Sequence, residues 1–310
     1  MTAPRLSIVT PCLNRAATIG AAIESVLAQG HGAVEHIVVD GMSTDGTAEV
    51  LARHSHLTVI REKDRNLYDA INKGIAAARA PVIGLLNSDD LYAPGAFAAA
   101  EAALTDPAVE MALGAAEFFA IRDGREVVLN HLAGAANALD EANATSGITT
   151  MNAAFYRRPL LDRLGAAGQA APFDIRFPLA ADKDFWLRLA LRAPRLAVLD
   201  ATIIRYRSHE GSLTFAAGDL RDKLSRHLLD LARTRLGETA PGTADRAAYR
   251  RWHAWAAGYR AAVQARGGAL PAALATAGAA FAADPLWPAR FLARLPDHWR
   301  GRAGRRGTTV

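Results

Sequence analysis

Polar and acidic side chains follow short apolar runs four times in the first ninety residues. The clusters are Thr10-Pro11-Cys-Leu-Asn14, Asp40 with Ser43-Thr44-Asp45, Glu62-Lys63-Asp64, and Asn87-Ser-Asp89-Asp90. Any one of them serves equally well as a helix cap or a turn. Four delivered in the same way suit a shared polar site at one edge of a sheet. Neither G-x-G-x-x-G nor G-x-x-x-x-G-K-[ST] occurs, so a backbone-amide cradle for a dinucleotide or triphosphate is excluded. An acidic edge repels a diphosphate unless a divalent cation lies between them. Asp89-Asp90, directly after an apolar run, offers hard oxygens suited to Mg²⁺ or Mn²⁺. Successive strand side chains oppose each other, so either a turn brings both to one ion or their roles are separate.

The elements that must position these groups alternate. Leu6–Thr10 reads as a strand, and Ile19, Ala22, Ile23, Val26 and Leu27 then share one helix face. His36–Val39 is a second strand, followed by a helix through Arg53 that Ser43, Thr44 or Asp45 can cap. Leu57–Ile60 is a third strand, and Tyr68–Ala78 a helix whose Tyr68, Asn72 and Lys73 are expected to orient Asp64. Pro81–Leu86, almost wholly apolar, is a fourth strand of the kind covered on both faces. The alternation predicts an α/β, mostly parallel sheet flanked by helices. Further on, Met111–Ala115 and Glu117–Ile121 are expected strands, with a turn at Asp123-Gly124 and loop over 130–150. Phe155–Leu164 and Asp182–Leu191 are predicted helices, and Leu196–Tyr206 one or two strands. Phe185 and Trp186 are expected in the core. Beyond about Thr214 the pattern is helical, broken at 237–242, Gly267-Gly268 and Pro285. The expected division is a catalytic domain over 1–215 and a helical, basic region over 216–310.

Charge divides along the same line. From Asp219 onward, sixteen Lys/Arg face seven Asp/Glu, which leaves the preceding part near −4 within a total of +5. A basic appendage points to an anionic surface partner. Its last stretch places Arg290, Arg294, Arg300, Arg302, Arg305 and Arg306 among Phe291, Leu292, Leu295 and Trp299, with Asp297 the one acid. A solvated tail or an anchor to anionic lipid headgroups both fit. No leader is expected, since Leu6–Thr10 begins a strand at once. The longest weakly apolar stretch, Ala269–Ala283, is shorter than the roughly 20 residues of a spanning helix. The single cysteine, Cys12, rules out an intrachain disulfide. The expected location is therefore cytoplasmic, with or without peripheral contact at the inner face of the plasma membrane. No nucleic-acid partner is expected.

Taken in order, Thr10-Pro-Cys-Leu-Asn14, Val38-Val-Asp-Gly-Met-Ser-Thr-Asp-Gly-Thr47, Glu62-Lys-Asp64, Tyr68-Asp-Ala-Ile-Asn-Lys-Gly74 and Asn87-Ser-Asp-Asp90 resemble the family 2 glycosyltransferases of the GT-A (Rossmann-like) fold. The likeness is nearest to the branch that assembles bacterial exopolysaccharide and other surface glycans, and it covers roughly residues 5–215. The resemblance implies an inverting transfer from a nucleotide-sugar donor to a glycan or lipid-linked acceptor. It places Asp40 and Asp64 at the nucleoside, Asp89 at the ribose or donor sugar, and Asp90 on a bridging Mn²⁺ or Mg²⁺. Further donor contacts are expected from Thr10, Pro11, Asn14, Ser43, Asn72, Lys73 and Asn87. His209, in Arg207-Ser-His-Glu-Gly-Ser212, matches a position that can ligate the metal. The sequence departs from the family pattern at Gly41, where many members carry a second acid, and at Asn87, which replaces the first acid of the D-x-D form.

The segment Ala180-Ala-Asp182-Lys-Asp184-Phe-Trp186-Leu-Arg188 resembles the family's Glu-Asp segment near the acceptor, and its matching acid is Asp182. An acceptor hydroxyl is a poor nucleophile, and an aligned carboxylate taking its proton contributes about 10²–10⁴-fold. Asp182 can instead cap its helix, and Asp184 ranks second as the base. Met151-Asn152 precede the Phe155 segment where this branch places acceptor contacts, but the residue types differ. Two other readings remain. A sugar nucleotidyltransferase needs a Gly-rich basic loop after the first strand, which Thr10–Arg15 lacks. A non-catalytic glycan-assembly scaffold would not need Asp89, Asp90 and Asp182 intact.

Overall fold

The computed structural model of the protein describes residues 3–145, 147, 150–165, 171–208 and 219–293. His209 and the arginines from Arg294 onward lie outside the described residues. The chain divides into two compact units, Met1–Ala138 with Thr150–Ser212, and Leu139–Thr149 with Leu213–Val310.

The first unit opens with the expected alternation: β1 (Leu6–Cys12), α1 (Ile19–Leu27), β2 (Val34–Asp40), α2 (Thr47–Leu51), β3 (Leu57–Arg61), α3 (Leu67–Ala77) and β4 (Val82–Leu85). Next come a two-residue strand β5 (Leu91–Tyr92), α4 (Ala96–Ala103), β6 (Met111–Arg122) and β7 (Arg125–Leu132). After α5 (Glu141–Thr145), the chain continues through β8 (Ala154–Arg157), α6 (Arg158–Asp162), α7 (Ala181–Arg192) and β9 (Leu196–Arg207). Among the described residues the nine strands form one sheet in the order β3-β2-β1-β4-β8-β6-β9-β5, with β7 paired to β6. The strands β3-β2-β1-β4 run parallel, as expected. Beyond β4 the sheet is mixed: β8 is antiparallel to β4 and β6, whereas β6 and β9 are parallel.

Alternating side chains of the parallel strands meet helices on opposite faces. Cys12 and Val38 join Ile19, Ile23 and Leu51 of α1 and α2 in one buried cluster. Val9 and Val39 face α3, which lies so close that a Cβ on Gly74 would sit 2.3 Å from Val9 Cγ1.

Three segments differ from the sequence expectations. Phe155 and Tyr156 begin a strand rather than a helix, because this aromatic pair fills the slot between β4 and β6 with no exposed surface. The helix starts only at α6, where Pro159 occupies its first turn. The two expected strands over 111–121 are one, β6. Gly114 lets β9 approach closely, since a Cβ there would lie 2.4 Å from Ile203 Cγ1 and 2.7 Å from the Ala201 carbonyl oxygen. The β6–β7 turn falls at Asp123-Gly124 as expected, with both residues at positive φ. Residues 130–150, expected as loop, extend β7 to Leu132 and contain α5.

The second unit comprises α5, α8 (Asp219–Glu238), α9 (Ala244–Arg266), α10 (Leu270–Ala283) and α11 (Trp287–Ala293). Helix α9 is its centre and touches the other four. Thr243 caps α9 by accepting the Arg246 amide, and Trp252 is wholly buried. Arg251 grips Glu141 of α5 through both carboxylate oxygens. No helix of the described residues is long and apolar enough to cross a membrane.

Candidate active site at the carboxyl edge of the parallel strands

Because β1, β2, β3 and β4 are parallel neighbours, the four polar clusters emerge at one edge of the sheet, where open parallel sheets bind ligands. The loops after β1 and β2 are joined by their side chains. Asn14, at φ 53°, donates its backbone N–H to Ser43 Oγ at 2.8 Å, and its own Oδ1 accepts the Thr44 amide at 2.9 Å. Asp45 accepts the amides of Ala16 and Thr47, each at 3.0 Å. Ser43 in turn donates from its amide and hydroxyl to Asp40 Oδ1. Asn14 and Ser43 therefore build the floor of the edge. Pro11 is buried in β1 beside Val39. The Thr10 hydroxyl points inward, 2.9 Å from His36 Nε2. Burial, with His56 and His54 nearby, pushes His36 down to about 3, so this buried ring is neutral.

Asp40 is fully buried, yet its Oδ2 lacks a hydrogen bond and lies 3.2 Å from Arg61 Nε. The Arg61 ion pair offsets part of the cost of this buried, unbonded acceptor, and a ligand donor would supply the missing hydrogen bond. Gly41 beside it is covered by Asp64: a Cβ at position 41 would come 2.9 Å from Asp64 Oδ2. A second acid at that position would displace Asp64, so the glycine and the orientation of Asp64 belong together. Lys73 Nζ holds Asp64 Oδ1 at 2.6 Å and Glu62 Oε1 at 2.9 Å. Burial raises the Asp64 pKa, with Lys73 opposing it. Burial works against the Lys73 charge too, but its bonds to Asp64 and Glu62 outweigh that and hold the ammonium above its ordinary pKa.

Of the three α3 residues expected to orient Asp64, Lys73 touches it. The other two reach the 173–182 segment. Asn72 donates to the Phe173 carbonyl at 2.8 Å and accepts the Phe173 amide at 3.1 Å. The Tyr68 phenol donates to Asp182 Oδ1 at 3.0 Å. Burial and the Asp182 charge hold that phenol well above its usual pKa, so it stays a donor.

After β4, a turn closes from the Asp90 amide to the Asn87 carbonyl at 3.1 Å. It separates the two acids: Asp90 is 3% exposed and Asp89 half-buried. Asn87 donates its side-chain amide to Asp90 Oδ2, and the Arg207 backbone amide donates to Oδ1, both at 2.9 Å. Burial pushes Asp90 up to about 8, and the charge of Asp89 adds to this. A cation beside these oxygens would favour the ionised form. Hard carboxylate oxygens of this kind suit Mg²⁺ or Mn²⁺. Among the described residues no group of three or more His, Cys, Asp or Glu gathers to hold an ion by protein alone.

Helix α7 begins without a side-chain cap at Ala180, so Asp182 is not the N-cap. Asp182 is half-buried and takes the Tyr68 bond. Asp184 is wholly buried in an ion pair with Arg188 Nε at 2.8 Å, and the same guanidinium bonds the carbonyls of Leu164 and Pro172. Asp184 is thereby tied to Arg188 inside the fold, whereas Asp182 lies nearer the surface. Lys183, between them, is pushed down to about 8 by burial, with Asp182 opposing. Phe185 and Trp186 are buried, as expected. Arg61 and Arg207 were not singled out from the sequence. Each closes a strand, β3 or β9, as a basic residue, and that position was the available signal.

The chain matches the model of Glycosyl transferase family 2 over residues 7–165, just over half its length. A PGL/p-HBAD biosynthesis glycosyltransferase of Mycobacterium tuberculosis is 31% identical over 198 residues, covering 61% of this chain and 70% of the relative. EpsJ of Bacillus subtilis, described as an uncharacterized glycosyltransferase, is 30% identical over 226 residues, covering 68% of this chain and 63% of the relative. Among solved structures, a mannosyltransferase from Pyrobaculum calidifontis in complex with GDP-Man and Mn²⁺ aligns with TM-score 0.58 at 23% identity, covering 94% of this chain and 84% of that one. TarS of S. aureus, residues 1–349 with UDP-GlcNAc, aligns with TM-score 0.56 at 17% identity, covering 83% and 73%. These structural likenesses establish the shared GT-A fold. With strand-end motifs, fold and family match in agreement, the chain belongs to glycosyl transferase family 2.

Proposed function

We propose that residues 1–215 transfer a glycosyl group from a nucleotide-diphosphate sugar to a hydroxyl of a glycan or lipid-linked acceptor, with inversion at the anomeric carbon. The observation that carries this reading is the meeting of Asp40, Asp64 and the Asn87–Asp90 turn at one edge of four parallel strands. The sugar-nucleotide complexes of the Pyrobaculum mannosyltransferase and of TarS support it.

Asp40 Oδ2, buried and ion-paired with Arg61 but without a hydrogen bond, receives an N–H of the nucleobase, and Asp64, pinned by Lys73, borders the same pocket. Asn14 and Ser43 fix the floor, and Asp89 reaches the ribose or donor sugar. Asp90, with Asp89 beside it, would hold a divalent cation. When bound, that cation supplies the positive charge an acidic edge lacks for a diphosphate. Asp182, oriented by Tyr68, accepts the acceptor hydroxyl's proton. The acceptor oxygen forms its bond to the anomeric carbon from the face opposite the leaving group. The bond from that carbon to the phosphate oxygen breaks, and nucleoside diphosphate departs with the electron pair.

The test is release of nucleoside diphosphate from a panel of UDP-, GDP- and dTDP-sugars with Mn²⁺ or Mg²⁺. Release should depend on the cation and fall by about 10²-fold or more in Asp182→Ala. Pyrophosphate release instead, or full turnover in Asp182→Ala, would defeat the assignment.

A further inference from the structure

The helical unit carries positive charge that its own carboxylates leave uncompensated. The end of α8, the first half of α9 and the end of α10 border a groove of about 660 Å³, within the size range of small-ligand sites. Arg233, Arg246, Arg250 and His253 line it, together with Asp284 and Pro285. Arg246 is fixed in place, donating to the carbonyl oxygens of Leu236 and Thr239 at the end of α8. Arg233 has its carboxylate neighbour, Asp230, 4.0 Å away. Arg250 forms no ion pair or hydrogen bond among the described residues. His253 is 7% exposed, and neither ring nitrogen is hydrogen-bonded among the described residues. Burial, with Arg233 adding to it, lowers the His253 pKa, while Asp284 opposes both.

Three guanidinium groups around Asp284, with Asp230 at the reach of Arg233 alone, leave a net positive charge that an entering anion would balance. Guanidinium forks match phosphate oxygens in pairs, and several oxygens on one group can engage all the donors at once. We propose that this groove is a second anion site, separate from the strand edge, which takes the phosphate of a phosphomonoester or diphosphate. The phosphate belongs either to a soluble molecule or to a lipid headgroup, and the same chemistry recognises both.

The experiment uses the full chain in EDTA, where the acidic strand edge has no cation to admit a diphosphate. Inorganic pyrophosphate is titrated calorimetrically into the parent, Arg250→Ala and Arg233→Ala. Both side chains are solvent-exposed, so the variants should keep the parent circular dichroism. Binding is expected in the parent, weakened about tenfold or more in each variant. In a second arm, phosphatidic acid vesicles are sedimented with the protein. Capture that pyrophosphate competes away assigns the phosphate to a headgroup, and pyrophosphate binding without capture assigns it to a soluble ligand. No pyrophosphate binding by the parent, or binding and capture unchanged in both variants, would overturn the site.

Discussion

Lys73 and Tyr68 hold two carboxylates from one helix, and the two holds differ in kind. Lys73 fixes Asp64 by an ion pair at 2.6 Å, whereas Tyr68 offers Asp182 one neutral donor that leaves the carboxylate its charge. Tyr68→Phe deletes that donor and keeps the ring that stacks on Phe173. A hydrogen bond to a charged group contributes about 1.5–3 kcal/mol, so kcat should fall roughly tenfold or more. The donor KM should stay at the parent value, because Asp64 and Lys73 are untouched. Steady-state kinetics checks this, and a raised donor KM with unchanged kcat would place Tyr68 in donor binding. Asp64 was legible in the sequence because it follows an apolar run, and Asp182 through the resemblance of its segment to the family's Glu-Asp segment. Of the contacts that orient them, Lys73 on Asp64 was legible as well, and those of Tyr68 and Asn72 were not. Asn72 meets Phe173 across 101 residues and Tyr68 meets Asp182 across 114, and separations of that size leave no local pattern. The contact of the Thr10 hydroxyl with His36, which strand alternation turns inward, is likewise absent from any local pattern.

At the level of elements, α3 sets the geometry of the edge, because it carries Tyr68, Asn72 and Lys73 and lies flush on β1 and β2. Gly74 permits that approach. Alanine there would gain about 1 kcal/mol of helix propensity, but its Cβ would sit 2.3 Å from Val9 Cγ1 and 3.3 Å from Val39 Cγ2, both in the closed interior. Overpacking of this kind costs about 1–3 kcal/mol. Gly74→Ala should therefore lower the urea midpoint with an unchanged m-value, and a midpoint equal to or above the parent's would show that the helix can move outward freely. The alternating first half was readable because each element is bounded by its own polar turn. β8 was not, since Phe155 and Tyr156 form an apolar run too short to separate strand from helix. The two residues of β5 are below the length at which any period shows.

Across the whole molecule, charge and function separate. The part before Asp219 is near −4 and the part after it strongly basic, so the proposed diphosphate donor would meet an unfavourable field at the strand edge unless a cation offsets it. The composition shift was legible in the sequence. The grouping of α5 with the helical unit was not, because Glu141 is held there by Arg251 across 110 residues. The most direct measurement of the central claim is calorimetric titration of UDP, GDP and dTDP into the full chain, with Mn²⁺ and again in EDTA, for the parent and Asp90→Ala. One nucleotide should bind with Mn²⁺, and its affinity should fall at least tenfold both in EDTA and in Asp90→Ala. Equal affinity with and without the cation, unchanged by Asp90→Ala, would contradict the account.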